Sequence, residues 1–439
     1  MDTTHTLDMI LLVSSRSDPA GSLIHEEVKR LLAQRPDLAG RFQHRQFDER
    51  LIYIDGPSLN TDADCIIFLS RHASKEPRPV FTVHVTGNFG PAEYGGTPET
   101  LTDAATGMMH AIMNRLACEV REPYTVSYEA THHGPTQVPV PSCFVEIGST
   151  EAEWNDRNAA SGVARAVINA VPGDVIPLAG FGGTHYAKRQ TEITLTTRGG
   201  FGHIMPTRDL KHLTRELFST IVKSSGAQAV YIDRKSVIKE EIRRIEGYAS
   251  NLDLPVVGQS DLTGLKNLSF HGYIQILQVA RSILPDSSIT IHALNHTDHM
   301  VPISIPSDLI AEAGKTDPTD LIAGFELLPV ARLSGKGIAF YPTFITNQEH
   351  LSHISDDLIH LCVSILLRNC ECTIDGDYLI IRKPRFDPEK AQSLGVPAGS
   401  SYGRLMAGEE IQIDGVTITP TMVMSISEKR ICIPGWGTR

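Results

Sequence analysis

The order of apolar segments in the first 265 residues constrains the fold more than any other feature of the sequence. The run MILLVSS, from Met9, predicts a buried strand, and SDPAGSLIHEEVKRLLAQ predicts a helix that begins at Asp18 and Pro19. Further strands are predicted at CIIFLSRHAS, VFTVHVTGN, VIPLAGFGG and AQAVYIDR, with helical spacing between several of them. This alternation predicts an α/β fold, a mixed β-sheet flanked by helices.

Two of the predicted helices have sharp sequence signals. The segment TPETLTDAATGMMHAIMNRLACEV, residues 97–120, carries apolar residues at helical spacing. Thr150 and Glu153 have the spacing of a capping box, so a helix is predicted to begin directly after Ser149.

The length of 439 residues is too great for one ordinary domain. After residue 265 the alternation becomes less regular, and from residue 374 the sequence is rich in turn residues and β-like runs. We therefore predict three regions: the α/β domain at 1–265, a smaller mixed α+β extension at 266–373, and a β-rich segment at 374–439.

Charge and hydropathy narrow the classes of function. The formal net charge of −11 argues against a surface coated with nucleic-acid-binding charge, although bases gather locally around residues 188–208. No run approaches the roughly 20 apolar residues that span a bilayer, and residues 1–10 lack the pattern of a signal peptide. We expect a cytoplasmic protein, acting as a monomer, that binds neither membranes nor DNA.

The stretch from Tyr124 to Glu151, YTVSYEATHHGPTQVPVPSCFVEIGSTE, gathers groups suited to chemistry. His132 and His133 precede a Gly-Pro turn between two predicted strands, with Glu129 before the turn and Glu146 after it. Neighbouring residues on a strand face opposite ways, so both histidines serve one site only if the chain is already turning there. The arrangement suggests metal-assisted hydrolysis, whereas a polar turn with hydrogen-bonded imidazoles is the alternative.

Three further histidines lie beside glycines at predicted strand ends or turns. His84 precedes Gly87 and Asn88 in HVTGN, His185 follows Gly182 and Gly183 in FGGTHY, and His203 lies in FGHIMP. A glycine lets the backbone approach a ligand closely, and α/β domains place their sites at strand ends. The recurrence favours a shared site, although a structural role stays open for each histidine.

The spacing of these residues matches no standard motif. HHGPT is not HExxH, and FGGTH lacks the ending of a phosphate-binding loop. Lys188 and Arg189 follow His185 closely and would suit a polyanionic substrate, with solvated surface bases as the alternative. A second histidine group in IHALNHTDHM, His292, His296 and His299 with Asp298, is a candidate metal site, but a polar loop is the favoured interpretation.

Six ordered segments carry a family resemblance: LLVSSRSDPAG, TVHVTGN, SYEATHHGPT, PSCFVEIGSTEAEW, GGTHYAKRQTE and FGHIMP. Together they resemble the archaeal and plant type of D-aminoacyl-tRNA deacylase. The resemblance implies hydrolysis of the ester between a D-amino acid, or a mischarged glycine, and tRNA. It also implies zinc and an α/β fold similar to that of peptidyl-tRNA hydrolase and the phosphorylase-like proteins.

The HHGPT and GTHY motifs of the family fall on His132, His133 and His185, with Glu129 and Glu146 beside them. We expect catalytic roles for Glu146, Glu129 and His133. The expected metal ligands, for zinc, are His132, His133, His185, His203 and Glu146. The expected contacts with the tRNA substrate are His84, Asn88, Gly182, Gly183, Lys188 and Arg189.

The C-terminal segment RKPRFDPEKAQSLGVPAGSSYGRLMAGEEIQIDGVTI is similar to part of RNase Z, the tRNA 3′-processing endonuclease. The metal motif HxHxDH of that enzyme is absent from the sequence. The resemblance suggests an appended tRNA-associated module, not a second nuclease.

Two alternatives to a zinc-dependent deacylase remain open at this point. One is a metal-free hydrolase in which a neighbouring ribose hydroxyl assists and the histidines position the ester. The other is a non-catalytic tRNA-binding protein, which would bind tRNA without releasing a D-amino acid.

Overall fold

The computed structural model describes residues 9–75, 77–265, 268–285, 287–294, 297, 299–335 and 338–436. The chain divides into two units, Met1–Lys266 and Asn267–Arg439. Among the described residues, no helix is both long and apolar enough to cross a membrane.

The first unit alternates strands and helices. Its strands are β1 (Ile10–Ser15), β2 (Phe42–Phe47), β3 (Cys65–Ala73), β4 (Val80–His84), β5 (Thr125–Tyr128), β6 (Ser142–Ser149), β7 (Ile176–Phe181), β8 (Gly199–Met205) and β9 (Ala229–Ile232). Its helices are α1 (Pro19–Leu32), α2 (Pro36–Ala39), α3 (Thr106–Glu119), α4 (Glu151–Trp154), α5 (Arg157–Ile168), α6 (Lys188–Thr196), α7 (Arg215–Ser224), α8 (Lys239–Ser250) and α9 (Gln259–Leu265).

The larger sheet of this unit has the strand order β2-β1-β3-β6-β4-β5. All neighbours in it run parallel except β4 and β6, which are antiparallel. A smaller parallel sheet has the order β8-β7-β9. The predicted mixed sheet flanked by helices is confirmed.

Local sequence signals fix several helix ends. Asp18 caps α1 by accepting a hydrogen bond from the Gly21 amide, and Pro19 occupies the first turn. Thr150 and Glu153 form the predicted capping box at the start of α4. The helix predicted over 97–120 is too long, because α3 begins only at Thr106. The preceding residues form an irregular loop that the Asn88 side chain holds by donating to Gly95 and Thr97 carbonyls.

The second unit mixes helices with antiparallel strands. Its strands are β10 (Ser288–Ile291), β11 (Met300–Ser304), β12 (Val330–Ser334), β13 (Thr343–Asn347), β14 (Glu371–Asp375), β15 (Tyr378–Phe386), β16 (Ile411–Ile413), β17 (Val416–Ile418) and β18 (Met424–Cys432). Its helices are α10 (Phe270–Ile283), α11 (Ser307–Thr316), α12 (Pro318–Phe325), α13 (Leu351–Asn369), α14 (Pro388–Ser393) and α15 (Ser400–Met406).

The expected division at residue 374 falls inside this second unit. Leu379 and Ile431, from β15 and β18, pack into the same core as Leu358 and Leu366 of α13. A smaller core around Ala391 joins α14, α15 and the β16–β17 hairpin. Residues 374–439 therefore complete the core of the preceding segment and add a small core of their own.

Candidate active site

The register of the large sheet places an acidic and two basic side chains on one face. Glu146 of β6 lies opposite Ser70 on β3 and Thr82 on β4. Residues two apart on a strand point to the same side, so His72 and His84 share the face of Glu146. The ring nitrogens His72 Nδ1 and His84 Nε2 lie 3.7 and 3.6 Å from Glu146 Oε2.

Glu129 joins this face from the neighbouring strand. Glu129 lies just after β5, two residues after Ser127, and Ser127 pairs with Thr82. The Glu129 amide donates a hydrogen bond to the Val83 carbonyl. Its carboxylate lies 2.9 Å from His72 Nδ1 and 2.9 Å from His185 Nε2. Neither oxygen has a donor with the alignment of a hydrogen bond, although the side chain is fully withdrawn from solvent. The carboxylate is thus surrounded by imidazoles without being fully hydrogen-bonded.

The Gly-Pro turn brings both adjacent histidines into the same site. His133 has a left-handed backbone with φ of 49°, so its ring does not point away from that of His132. The two ring centroids are 4.3 Å apart, and both rings contact His84. A Cβ on Gly134 would lie 2.5 Å from main-chain atoms of Gly96 and Ile52, so this position requires glycine. The turn predicted from the sequence is confirmed.

His185 reaches the cluster from the loop that follows β7. Its carbonyl accepts a hydrogen bond from the Ala130 amide, which ties this loop to the segment after β5. Gly182 and Gly183, both with φ of 93°, form the turn that leaves the strand. One histidine of the site therefore comes from a loop of the smaller sheet, whereas the larger sheet positions the rest of the site.

The donor set of this cluster fits a metal ion. The Nδ1 atoms of His84, His132 and His133 each lie within 3.2 Å of a main-chain carbonyl, those of Val85, Ala130 and Gly134. With Nδ1 as the donor, each ring keeps the Nε2 lone pair for a ligand. His84 Nε2 is buried without a hydrogen-bond partner. Three groups have ligand atoms within 4.8 Å of one another: His84, His132 and His133; His72, Glu129 and His185; and His84, Glu129 and Glu146.

The electrostatics of the cluster separate charged from neutral imidazoles. Burial alone would lower the pKa of His72, but Glu129 and Glu146 outweigh it and raise the pKa to about 11. Burial would raise the pKa of Glu146, but the neighbouring imidazoles of His72 and His84 lower it to about 2. Burial holds the pKa of His133 down to about 4 and that of His132 well below its ordinary range. Both carboxylates are therefore ionised near neutral pH, while His132 and His133 are neutral and can bind a metal or accept a proton.

His203 lies apart from these groups, and its environment does not support the predicted role as a metal ligand. Its Nε2 lies 2.8 Å from the Thr102 carbonyl, and its Nδ1 lies 3.1 Å from the Thr131 hydroxyl. With both ring nitrogens engaged in a fully buried setting, the side chain has a structural role.

The predicted substrate contacts fall in different places. His84 lies inside the cluster, and the amide of Asn88 is engaged by main-chain carbonyls of its own loop. Lys188 is exposed at the start of α6, and Arg189 lies 3.4 Å from Glu192 and lines a surface cavity of about 380 Å³. In the second histidine group, His296 and Asp298 lie outside the described residues.

Sequence reasoning missed His72, a central member of the cluster. Its Nε2 lies 2.7 Å from the Tyr186 hydroxyl, while its Nδ1 faces Glu129. No glycine adjoins His72 in CIIFLSRHAS, so it lacks the neighbouring glycine that marked the other histidines. Its position at the end of a predicted strand, where parallel strands carry their sites, was the available signal.

Comparison with known proteins identifies relatives of the entire chain. A family model for D-aminoacyl-tRNA deacylase matches residues 59–257. A D-aminoacyl-tRNA deacylase of Methanospirillum hungatei is 54% identical over 427 residues, which cover 97% of each chain. That of Methanoregula boonei is 44% identical over 430 residues, covering 97% of this chain and 98% of the relative. Both matches include the second unit, so the C-terminal third is shared with these relatives.

A solved structure shares the fold over part of the chain. The crystal structure of a conserved protein of unknown function matches with a TM-score of 0.54 at 36% identity, covering 58% of this chain and 96% of that one. With the full-length similarity and the family model, the conclusion follows that this chain belongs to the D-aminoacyl-tRNA deacylase family.

Proposed function

We propose that this protein hydrolyses the ester bond of D-aminoacyl-tRNA, and of mischarged glycyl-tRNA, to release tRNA and the free amino acid. The observation that carries the proposal is the 54% identity, over 97% of the chain, to a relative named for this activity. The cluster of five histidines and two glutamates supplies groups suited to the reaction. The setting would be the cytoplasm, where charged tRNA is used.

The exposure of the histidine side chains suggests which of them face the ester. The side chains of His132 and His185 are 23% and 29% exposed, whereas His72, His84 and His133 are nearly enclosed. We infer that His132 and His185 face the ester. The ionised Glu129 lies 2.9 Å from His185 Nε2 and holds that imidazole in position.

The reaction requires attack of water on the acyl carbon and departure of the ribose hydroxyl. A neutral imidazole at the solvent-facing edge, oriented by Glu129 or Glu146, would take the proton from water. An imidazole N–H would donate a hydrogen bond to the carbonyl oxygen as negative charge develops there. The leaving ribose oxygen of the terminal adenosine would then recover the proton.

Zinc is the proposed cofactor. His84, His132 and His133 form one candidate ligand set. His72, Glu129 and His185 form a second, in which His72 would have to lose its proton. Neutral imidazoles and a carboxylate are the ligands that zinc takes in catalytic sites. When bound, zinc supplies Lewis acidity that polarises a carbonyl and lowers the pKa of water.

The metal-free alternative is supported by the Glu129 and His185 pair, which could position a proton acceptor without a metal. Chelation followed by dialysis, and then by zinc add-back, separates the two mechanisms. The zinc mechanism predicts that activity falls at least about a hundredfold and returns with zinc. Full activity of a preparation with no measurable metal would contradict it.

The activity itself is tested with D-Tyr-tRNA and L-Tyr-tRNA. We expect release of D-tyrosine and little release of L-tyrosine. Binding of tRNA without release of either amino acid would instead indicate a non-catalytic tRNA-binding protein.

Two finer assignments belong to the same proposal. The α/β fold of the first unit is proposed to be related to that of peptidyl-tRNA hydrolase, on the basis of the family resemblance. The segment similar to RNase Z, which contains α14 and α15, is proposed to contact tRNA. Arg385 is exposed there, and Arg385→Ala should weaken tRNA binding, whereas Arg404→Ala, at a residue paired with Glu409, should not. Equal binding by both variants and the wild type would contradict this role.

A further inference from the structure

Two half-buried aromatic side chains flank His72 at the end of β3. The Trp154 indole nitrogen donates to the His72 carbonyl at 2.9 Å, and the Tyr186 hydroxyl lies 2.7 Å from His72 Nε2. The Tyr186 ring also contacts the His185 ring edge to face, with centroids 5.2 Å apart. Tyr186 therefore adjoins the cluster directly, whereas Trp154 contacts the main chain of His72.

An arginine lies over each of these rings. The guanidinium carbon of Arg78 is 3.3 Å from the centroid of Tyr186, and that of Arg71 is 4.8 Å from the centroid of Trp154. Arg78 is exposed and Arg71 is half-buried. We call these four residues, Arg71, Arg78, Trp154 and Tyr186, the arginine–aromatic ledge.

The two arginines of the ledge differ from most arginines of this unit in their partners. Arg157 and Arg165 lie within 2.8 Å of glutamates, for example. Within the described part of the chain, no carboxylate oxygen lies within 4.0 Å of the guanidinium of Arg71 or Arg78. In a chain with a net charge of −11, the exposed guanidinium of Arg78, with no carboxylate within 4.0 Å among the described residues, is available for an anionic ligand.

The chemistry of the ledge suits single-stranded RNA. Nucleobases that are not paired stack on aromatic rings and on guanidinium planes, and arginines bind the phosphates between them. Double-helical RNA offers no free base faces for such stacking. Two arginine–aromatic pairs, Arg78 with Tyr186 and Arg71 with Trp154, thus offer the groups that bind a short, unpaired strand.

We propose that the arginine–aromatic ledge binds the single-stranded 3′ end of tRNA and leads its terminal ester to the cluster. This inference rests on the proposed function, since it names the surface that holds the same substrate. It assigns tRNA contacts to Arg71, Arg78, Trp154 and Tyr186, beyond the bases Lys188 and Arg189 on α6.

The test compares the binding of two uncharged probes: intact tRNA, and the same tRNA without its last three nucleotides. We expect Arg78→Ala to weaken binding of intact tRNA roughly tenfold and to leave binding of trimmed tRNA unchanged. The salt dependence of binding to intact tRNA should also decrease, by about 0.7 in the log–log slope for one lost single-strand phosphate contact.

Two matched variants complete the experiment. Arg165→Ala removes the same charge from a residue paired with Glu119, and it should bind both probes as the wild type does. Arg78→Lys should keep the salt dependence but lose part of the affinity, because an ammonium does not stack as a guanidinium plane does. Thermal unfolding of each variant establishes that the fold is intact.

The possible failures are distinguishable. If Arg78→Ala weakens both probes equally, or neither, the ledge does not bind the 3′ end and the proposal is overturned, even if D-tyrosine is still released from D-Tyr-tRNA. If the wild-type protein releases no D-tyrosine, the proposed function fails. A preference for intact over trimmed tRNA that depends on Arg78 would still support the ledge as a binding surface.

Discussion

Glu312 in the second unit and Glu129 in the first are both withdrawn from solvent, but their surroundings differ. Lys383, Lys429 and Lys315 approach the Glu312 carboxylate with their ammonium nitrogens at 2.9, 3.1 and 3.3 Å. Glu129 is surrounded by imidazoles and has no aligned hydrogen-bond donor.

The comparison separates stability from function. The ammonium groups around Glu312 are permanently charged near neutral pH, and two of them come from strands that pair with each other, so the interaction joins α11 to β15 and β18. Of the imidazoles around Glu129, His132 is neutral near pH 7 and keeps a lone pair for a ligand, whereas His72 is charged. A buried carboxylate that is fully paired stabilises the fold, whereas one left incompletely paired among imidazoles is prepared for a ligand.

The largest expected effect is a difference in deacylation rate between variants of two buried histidines. His84→Gln removes the Nε2 lone pair from the cluster, and we expect deacylation to fall on the order of a hundredfold or more. His203→Gln, the matched control, leaves the cluster intact, so its activity should remain within a few-fold of the wild type. His203→Gln should instead lower the free energy of unfolding by about 1–3 kcal/mol, because both ring nitrogens of His203 are hydrogen-bonded. Comparable losses of activity in the two variants would contradict the exclusion of His203 from the site.

A smaller effect is expected at Glu312. Glu312→Gln removes the charge that three lysines share, and the free energy of unfolding should decrease by about 1–2 kcal/mol, a value that allows for the exposure of the lysines. Deacylation by this variant should equal that of the wild type. Urea unfolding at pH 7 measures the first quantity, and unchanged stability would show that the lysines are not coupled to the carboxylate.

The smallest expected effect is a pH dependence of the difference in the free energy of unfolding between the wild type and Glu312→Gln. Burial would raise the pKa of Glu312, but hydrogen bonds from Lys383, Lys429 and Lys315 outweigh it and lower the pKa from 4.5 to about 2. Because the folded-state pKa is lowered, the stabilisation is fully present above about pH 4.5 and is lost as the pH falls towards 2. The difference between wild type and Glu312→Gln should therefore shrink in urea titrations repeated at pH 6, 4 and 3. A difference that stays constant over this range would refute the assignment.

Much of the fold follows from local sequence signals. The strand at MILLVSS, the cap at Asp18 and the capping box at Thr150 depend on residues that are close together along the chain. The turn at Gly134 was also predictable, since Gly-Pro permits few other conformations. These signals placed His132 and His133 at one site.

The rest of the site depends on contacts between distant segments. His72 enters the cluster because β3 and β6 pair in one particular register, which no local pattern specifies. The glycines near His203 misled the prediction for a physical reason. A Cβ on Gly200, one of the two glycines that precede His203, would lie 2.6 Å from the Val175 side chain, so this glycine serves close packing and not the approach of a ligand. From sequence alone, a glycine required by packing cannot be told from one required by a ligand.

The central claim is that the carboxylate of Glu129, buried among imidazoles, serves hydrolysis. Its most direct test is release of D-tyrosine from D-Tyr-tRNA by Glu129→Gln, with thermal unfolding measured on the same sample. We predict a loss of at least about a hundredfold in the rate. The melting temperature should fall modestly, because the charged His72 imidazole loses one of its two carboxylate partners. Wild-type release of D-tyrosine by a stably folded Glu129→Gln variant would contradict the claim.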